Sequence, residues 1–384
     1  MPEVDLLVLG GGLAGLSLAE RLSAARAPAP RTCVLEARAD YADDRTWCSW
    51  RLAPGRYDGL ATASWSRFAV RSGGREALVE CAETPYQMIP SSAFYARARD
   101  TVASSPQVSL ELGCPVASEP AQTADGWQVD AADGRRFTAR YVVDTRPPQQ
   151  RPPSILWQSF LGDFVVTDRD VFDPSTAVLM DFDAQCDDGV QFVYVLPTSR
   201  REALVETTVF GAQPLAPDAL RERHAERLRA RVGGSVFSVQ RSEHGVLPMG
   251  HAPDAAAPGL VQASLFHGGA RASTGYAFTR IQAWADACAA SLVGNAAPVA
   301  PSPDPWLRRT MDEVFLRVLR AQPERGGDLM TRMFERADPA RVIRFLSDRG
   351  GLRDALSVVG SLPSAPFLRA AWQALWRTPC RGGA

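Results

Sequence analysis

The chain opens on an unbroken apolar run, residues 4–9, which meets Gly10-Gly11-Gly12-Leu13-Ala14-Gly15. Apolar positions at helical spacing follow at Leu16, Ala19 and Leu22. A short continuous apolar run bounded by glycine predicts a buried strand, and the period that follows predicts a helix. A Pro-rich turn at 26–31 and a second apolar run at 32–35 complete a βαβ unit. Two strands are then expected within 64–80, around Ser72-Gly73-Gly74, and an extended segment at 85–89. Ser91-Ser92 caps a helix reaching about residue 102. Short strands follow at 108–112, 127–130 and 136–137, with Ala132-Asp133-Gly134 as a hairpin turn. An apolar strand at 141–146 returns to the first sheet.

After a Pro-rich link at 149–153 the pattern becomes β-rich. Strands are expected at 156–166, 177–182, 190–196 and 203–210, with turns at Asp187-Asp188-Gly189 and Thr198-Ser199-Arg200. A helix at 217–231 and strands at 236–241 and 260–263 follow. His267-Gly268-Gly269 is a loop, and Thr274-Gly275-Tyr276 begins a helix reaching about residue 293. Beyond a Pro-rich linker at 298–305 the pattern is helical, with breaks at Gly326-Gly327, Gly350-Gly351 and 363–366. The fold class is therefore α/β. A Rossmann-type FAD-binding domain of the two-dinucleotide flavoprotein kind is expected at 1–62, 91–150 and 245–300. An inserted antiparallel sheet for substrate is expected at 63–90 and 151–244, and a C-terminal helical region at 301–384.

Gly10, Gly12 and Gly15 fit G-x-G-x-x-G, with Leu13 and Ala14 inside the motif. The first glycine permits the tight turn, the second lets a pyrophosphate approach the backbone, and the third lets helix and strand pack closely. The helix N-terminus then faces the phosphates with free N–H groups. Glu36 ends the second strand, 21 positions after Gly15, where an acid accepts hydrogen bonds from a ribose. The N-terminal position favours FAD as a resident cofactor, although NAD(P) fits the same residues.

Composition narrows the choices. The formal net charge is -1, which gives no electrostatic case for nucleic acid. All 42 basic residues are arginine, so Schiff-base chemistry on lysine and a P-loop lysine are excluded. The 7 cysteines form no C-x-x-C pair, and His244 and His251 have no further ligand at useful spacing, so no metal site is indicated. An odd cysteine count without a secretion signal leads us to expect reduced thiols in the cytoplasm. No apolar run is long enough for a transmembrane helix, and no G-x-S-x-G nucleophile motif is present.

Two acids and two tryptophans carry candidate chemistry. Glu206 lies in an apolar, β-branched strand, where alternation puts Leu204, Glu206 and Thr208 on one face. It faces either solvent, which the pattern alone favours, or an apolar cavity that would raise its pKa and let it carry a proton. Glu243 follows a strand and either pairs with an arginine or serves a site. Trp47 and Trp50 either stack on a ligand or pack beneath their loop; pattern alone favours packing.

Beyond these single residues, a series of linked motifs resembles the flavin-dependent lycopene cyclases, in their bacterial β-cyclase branch. Asp44-Arg45-Thr46-Trp47, Phe160-Leu161-Gly162 and Val171-Phe172-Asp173-Pro174 carry it, then Leu179-Met180-Asp181-Phe182 and Phe192-Val193-Tyr194-Val195-Leu196-Pro197. Ala203-Leu204-Val205-Glu206-Thr207-Thr208, Glu243-His244-Gly245-Val246-Leu247-Pro248-Met249 and Ser273-Thr274-Gly275-Tyr276-Ala277-Phe278 continue it in order. The resemblance runs to about residue 290; the C-terminal helices add length rather than a motif. One departure is Ala272, where the family commonly has proline; His267 and Arg271 are also unusual in that loop.

The resemblance implies an isomerase that holds reduced FAD, with NAD(P)H as reductant, and performs no net redox chemistry. An acyclic carotenoid end is protonated, the cation is attacked by a neighbouring double bond, and proton loss leaves a β-ionone ring. It implies Glu206 as acid or base and Glu243 as a recurrent second acid, in the substrate cavity or positioning the cofactor. Trp47 and Tyr194 would line that cavity. Gly268, Gly269, Thr274 and Gly275 would make the late FAD contact at another helix N-terminus. A lycopene substrate further implies peripheral contact with the inner membrane surface, for which the amphipathic stretch 342–377 is a candidate; core packing is the alternative. Competing readings are an aromatic-hydroxylase type monooxygenase, a cyclase for another polyprenyl substrate, and a non-catalytic carotenoid carrier.

Overall fold

The structure is a computed structural model that describes residues 3–182, 186, 189–250 and 257–376. The turn at 187–188, His251 and the chain beyond 376 lie outside these described residues. Three sheets organise it. The first is built on the Glu3–Leu9 strand, which pairs in parallel with Thr32–Leu35 on one side and Arg136–Asp144 on the other. Val108–Glu111 and Leu260–Gln262 extend the parallel part, and Gly126–Asp130 and Ala121–Thr123 add antiparallel strands. The continuous apolar run predicts this placement: Leu6, Leu7, Val8 and Leu9 are each 0% exposed. Strands at 136–137 and 141–146, read separately from sequence, form one strand ending at Asp144.

The second sheet has the strand order Phe237–Met249, Leu156–Thr167, Glu202–Gly211, Gly189–Pro197, Ala177–Phe182, Arg67–Ser72 and Arg75–Glu80. Its pairings are antiparallel except where Ala177–Phe182 meets Arg67–Ser72. The Phe237–Met249 strand carries Glu243 in its middle, whereas the sequence pattern ended that strand at 241. Leu156–Thr167 pairs along nearly its whole length with it, so the neighbour rather than local propensity sets the strand's extent. A small third sheet joins Thr46–Trp50, Tyr86–Pro90 and Ala63–Trp65 between the two larger ones.

The two faces of the second sheet are covered differently. The Pro217–Val232 helix packs Leu228 and Val232 on one face, against Val165, Val193 and Val205. The C-terminal helices cover part of the other, bringing Val314, Leu316, Leu329 and Phe334 onto Phe68, Leu179, Phe192 and Phe210. The expected helix break at Gly326-Gly327 is displaced. Helix Gly326–Arg336 begins there, because both glycines are pressed against Val190 and Phe182. A further break, at Asp338, comes from its N-cap on Pro339–Leu346. The amphipathic C-terminal stretch divides: Val342, Ile343 and Leu346 are buried, while Leu368 and Trp372 are exposed.

Candidate active site

A cavity of about 680 Å³ runs from the glycine-rich turn to the second sheet. At one end, Gly12, Leu13 and Ala14 form its wall at the start of helix Leu13–Ser23. A Cβ placed on Gly12 would meet nothing within 4 Å, so the turn opens onto free space. A Cβ on Gly15 would lie 2.0 Å from the Gly10 carbonyl oxygen, which is the close strand–helix packing that only glycine allows. Glu36 is buried, and its carboxylate accepts from the Gly11 N–H at 2.7 Å and from Arg38 Nε at 3.0 Å. Burial opposes its ionisation, but the Arg38 and Gly11 contacts outweigh that and hold it low. Arg38, which the sequence did not single out, reaches the cavity wall in its place.

Gly275 lines the cavity with Tyr276, Ala277 and Phe278, and so do Ser264, Leu265 and Phe266. Gly268, Gly269 and Thr274 are not on that wall. Gly269 is buried against the Ser264 carbonyl, and the Thr274 hydroxyl accepts from the Tyr276 N–H. Arg271 explains the unusual loop. It is 1% exposed and pairs through Nη2 with Asp312 Oδ1 at 2.9 Å, while Ser273 Oγ donates to the same carboxylate at 2.8 Å. Arg271 also donates to the Phe345 carbonyl. The C-terminal helices are therefore bound to the loop that walls the cavity.

At the other end, strand register aligns four residues in one row across the sheet. Tyr194 lies opposite Glu206, Glu206 opposite Gly162, and Gly162 opposite Glu243. Gly162 has no side chain to separate the two acids; a Cβ there would stand 3.2 Å from Glu206 Cβ. In the next row Phe160 lies across Gly245. Leu196, Leu204, Leu247, Cys48 and Tyr86 complete a largely apolar, aromatic enclosure.

Glu206 therefore faces the cavity, which overturns the solvent placement that alternation alone favours. Its partial accessibility is to the cavity space. Burial first, and the nearby Glu243 carboxylate second, push its pKa up to about 8, against a 2.8 Å hydrogen bond from Thr208 Oγ1. It is a protonated acid at neutral pH. Glu243 is also raised by burial, but its surroundings differ. Thr46 Oγ1 donates to Oε2 at 2.8 Å and Arg241 Nη1 at 3.0 Å, and Arg241 Nη2 donates to Thr46 at 2.7 Å. Two like acids thus sit in unlike environments, one held neutral by burial and one fixed by a cation. Burial also pushes the Cys48 thiol and the Tyr86 and Tyr194 phenols up, so these groups are neutral.

Trp47 lines the cavity while stacking on Phe278 at 6.0 Å and meeting Phe94 edge-on at 5.2 Å. Trp50 is a core residue against Phe68 and Tyr86. The sequence placed Gly162 and Thr46 in motifs but gave neither a role at the site, and did not single out Arg241. A glycine inside a strand pattern signals close approach of another group, and that signal was present at Gly162.

The fold and site define an α/β protein with the Rossmann-type fold of FAD-binding proteins and a sheet-floored cavity. Solved structures of similar architecture include a geranylgeranyl bacteriochlorophyll reductase-like protein from Thermoplasma acidophilum, with TM-score 0.64 at 10% identity over 96% of this chain and 98% of that one. A p-nitrophenol 4-monooxygenase from Pseudomonas putida has TM-score 0.58 at 15% identity, over 98% of each chain. A flavoprotein/dehydrogenase from Cytophaga hutchinsonii has TM-score 0.57 at 13% identity, over 97% of this chain and 100% of that one. The lycopene cyclase protein family profile matches residues 5–372, and the chain belongs to that family. It is similar to a lycopene beta-cyclase of Paracoccus sp., 30% identical over 94% of this chain and 95% of that protein. A lycopene beta-cyclase of Pseudescherichia vulneris is 28% identical over 96% of each.

Proposed function

We propose that the protein is a lycopene β-cyclase that forms β-ionone rings on acyclic carotenoid ends as an isomerase, with no net redox change. One observation carries the reading: Glu206, a carboxylic acid held neutral, faces an aromatic cavity continuous with the dinucleotide turn. Glu206 gives its proton to the terminal double bond. Tyr194, Tyr86 and Trp47 present π faces to the cation that results, and apolar walls keep water from quenching it. The ring then closes and loses a proton, and Glu206 or Glu243 is placed to accept it. The product is an isomer of the substrate.

The glycine turn fits FAD. Gly12 leaves room for a pyrophosphate, and the helix N-terminus at Leu13–Ala14 supplies N–H donors. Gly10, Gly15 and Glu36 shape that turn, and Gly275 forms the second contact region, in a loop that Gly268, Gly269 and Thr274 shape from outside the cavity. FAD held there in its reduced form, with NAD(P)H as reductant, would supply an electron-rich ring. Peripheral membrane binding suits a bilayer-dissolved substrate. No helix among the described residues is long and apolar enough to cross a membrane. Helix Leu352–Ser361 instead exposes Leu352, Leu356 and Val359 at 63%, 60% and 53%, one turn apart along a single face.

The test is anaerobic incubation of lycopene with the FAD-loaded, reduced protein, followed by pigment chromatography. A cyclic isomer of equal mass is expected. Unchanged lycopene, with NAD(P)H consumed in step with oxygen when air is admitted, would move the assignment to a monooxygenase.

A further inference from the structure

The face of the second sheet away from the cavity carries polar residues in an otherwise apolar layer. His224, on the Pro217–Val232 helix, is 2% exposed. Its Nδ1 lies 3.1 Å from Thr207 Oγ1, and its Nε2 lies 3.2 Å from Asp163 Oδ2, a close contact without straight hydrogen-bond alignment. Ser242 Oγ donates to Asp163 Oδ1 at 2.6 Å. Burial opposes ionisation of Asp163, yet the contacts with His224 and Ser242 hold its pKa low. Val165, Val205, Leu228 and Val232 make up the same layer.

Each sheet residue of this cluster is the chain neighbour of a residue in the active-site row. Thr207 follows Glu206, Asp163 follows Gly162, and Ser242 precedes Glu243. Strand alternation puts them on the opposite face, where they cannot touch substrate. We propose that His224, with Asp163, Thr207 and Ser242, forms a positioning cluster that sets the spacing of Glu206 and Glu243 from behind the sheet. His224 and Thr207 are buried polar groups, costly unless partnered, and they meet each other, the part-buried Asp163 and, through it, the exposed Ser242 only when the three strands hold this register. A one-residue slip would turn the whole set, acids included, to the wrong face. The imidazole bridges two strands, and Asp163 extends the bridge to the third.

This inference builds on the reading of Glu206 as proton donor, and its test also works without turnover. Around Glu206 stand Glu243, Thr208, Tyr194, Cys48 and Tyr86. Loosening the cluster separates the acids and admits water, so Glu206 should ionise at lower pH. In the FAD-loaded protein, the infrared band of the protonated carboxyl, assigned by its loss in Glu206→Gln, is titrated. His224→Leu should move its midpoint down by about one pH unit, a tenfold change in the protonated-to-ionised ratio. His224→Gln should restore part of the shift, and Ser242→Ala should reproduce part of it, which keeps the test open if His224→Leu does not fold. The alkaline limb of cyclisation should move with the band. An unmoved midpoint in His224→Leu and Ser242→Ala, whatever happens to melting temperature, overturns the proposal. A shifted midpoint in a protein that never cyclises lycopene leaves the positioning cluster standing and removes the assigned reaction instead.

Discussion

At the scale of single residues, Glu206 ties function and stability to pH in the same direction: both should fall as pH rises. In the proposed role of proton donor it would act in its protonated form, so turnover should fall as pH rises through about 8. For stability, the folded-state pKa lies above the unfolded value near 4.3. Between the two values the folded protein holds a proton that the unfolded chain has released, so stability declines as pH rises across that window. Glu206→Gln should abolish cyclisation while keeping FAD. It should also raise the melting temperature, by a margin that grows from pH 5 to pH 8 and corresponds to at most about 4 kcal/mol. A melting difference that is flat with pH would contradict the buried neutral acid. Gly162→Ala tests the row itself. Its methyl group would press on Glu206 Cβ and Cγ at 3.2 and 3.3 Å. Because a small misplacement of a reacting group is costly, a loss of about tenfold or more in kcat is expected, with FAD affinity unchanged.

At the scale of elements, the loop after Leu260–Gln262 depends on the C-terminal helices. Arg271→Ala leaves Asp312 buried without its cation, a loss of about 3–5 kcal/mol for a broken buried pair. Both melting temperature and FAD affinity should drop, whereas a change at the exposed Arg353 should alter neither. This dependence was not legible in the sequence, where Arg271 appeared only as a departure in a loop and the helices as added length. The first strand, the glycine turn and the strands of the second sheet were legible, because apolar runs and glycine carry local signals. The placement of Glu206 was legible through the family resemblance but not from the local pattern. Alternation assigns it a face, yet which face is covered depends on elements over a hundred residues away in the chain, such as Phe315 and Phe334 on helices that close over the same sheet. Glu243 was missed as a strand residue for the same reason, since its pairing partner rather than its own segment extends the strand.

At the scale of the whole molecule, the exposed apolar positions are confined to a few places, and the helix face of Leu352, Leu356 and Val359 is one of them. Truncating the C-terminus is a poor test of membrane binding, because Ala370 is buried and Phe367 stacks on Phe315 at 6.3 Å. Leu356→Asp with Val359→Asp leaves that packing alone. Co-flotation with anionic liposomes should fall several-fold in this double variant, with the far-UV spectrum and bound FAD preserved. Equal flotation would take this face out of the membrane contact.

The cavity has a further consequence for the course of the reaction. Its volume, about 680 Å³, is that of a site for one modest ligand, and part of it lies beside the dinucleotide turn. A long carotenoid can place only one terminus beside Glu206, leaving the polyene outside. A product ringed at both ends must therefore be made in two visits, with the half-finished molecule backing out, turning end for end and re-entering. The enzyme would work distributively, and the singly ringed pigment should build up as a free species before any doubly ringed one. Adding excess unlabelled lycopene after a labelled pulse should strand the label at the one-ring stage; label passing straight through to two rings would require a second site.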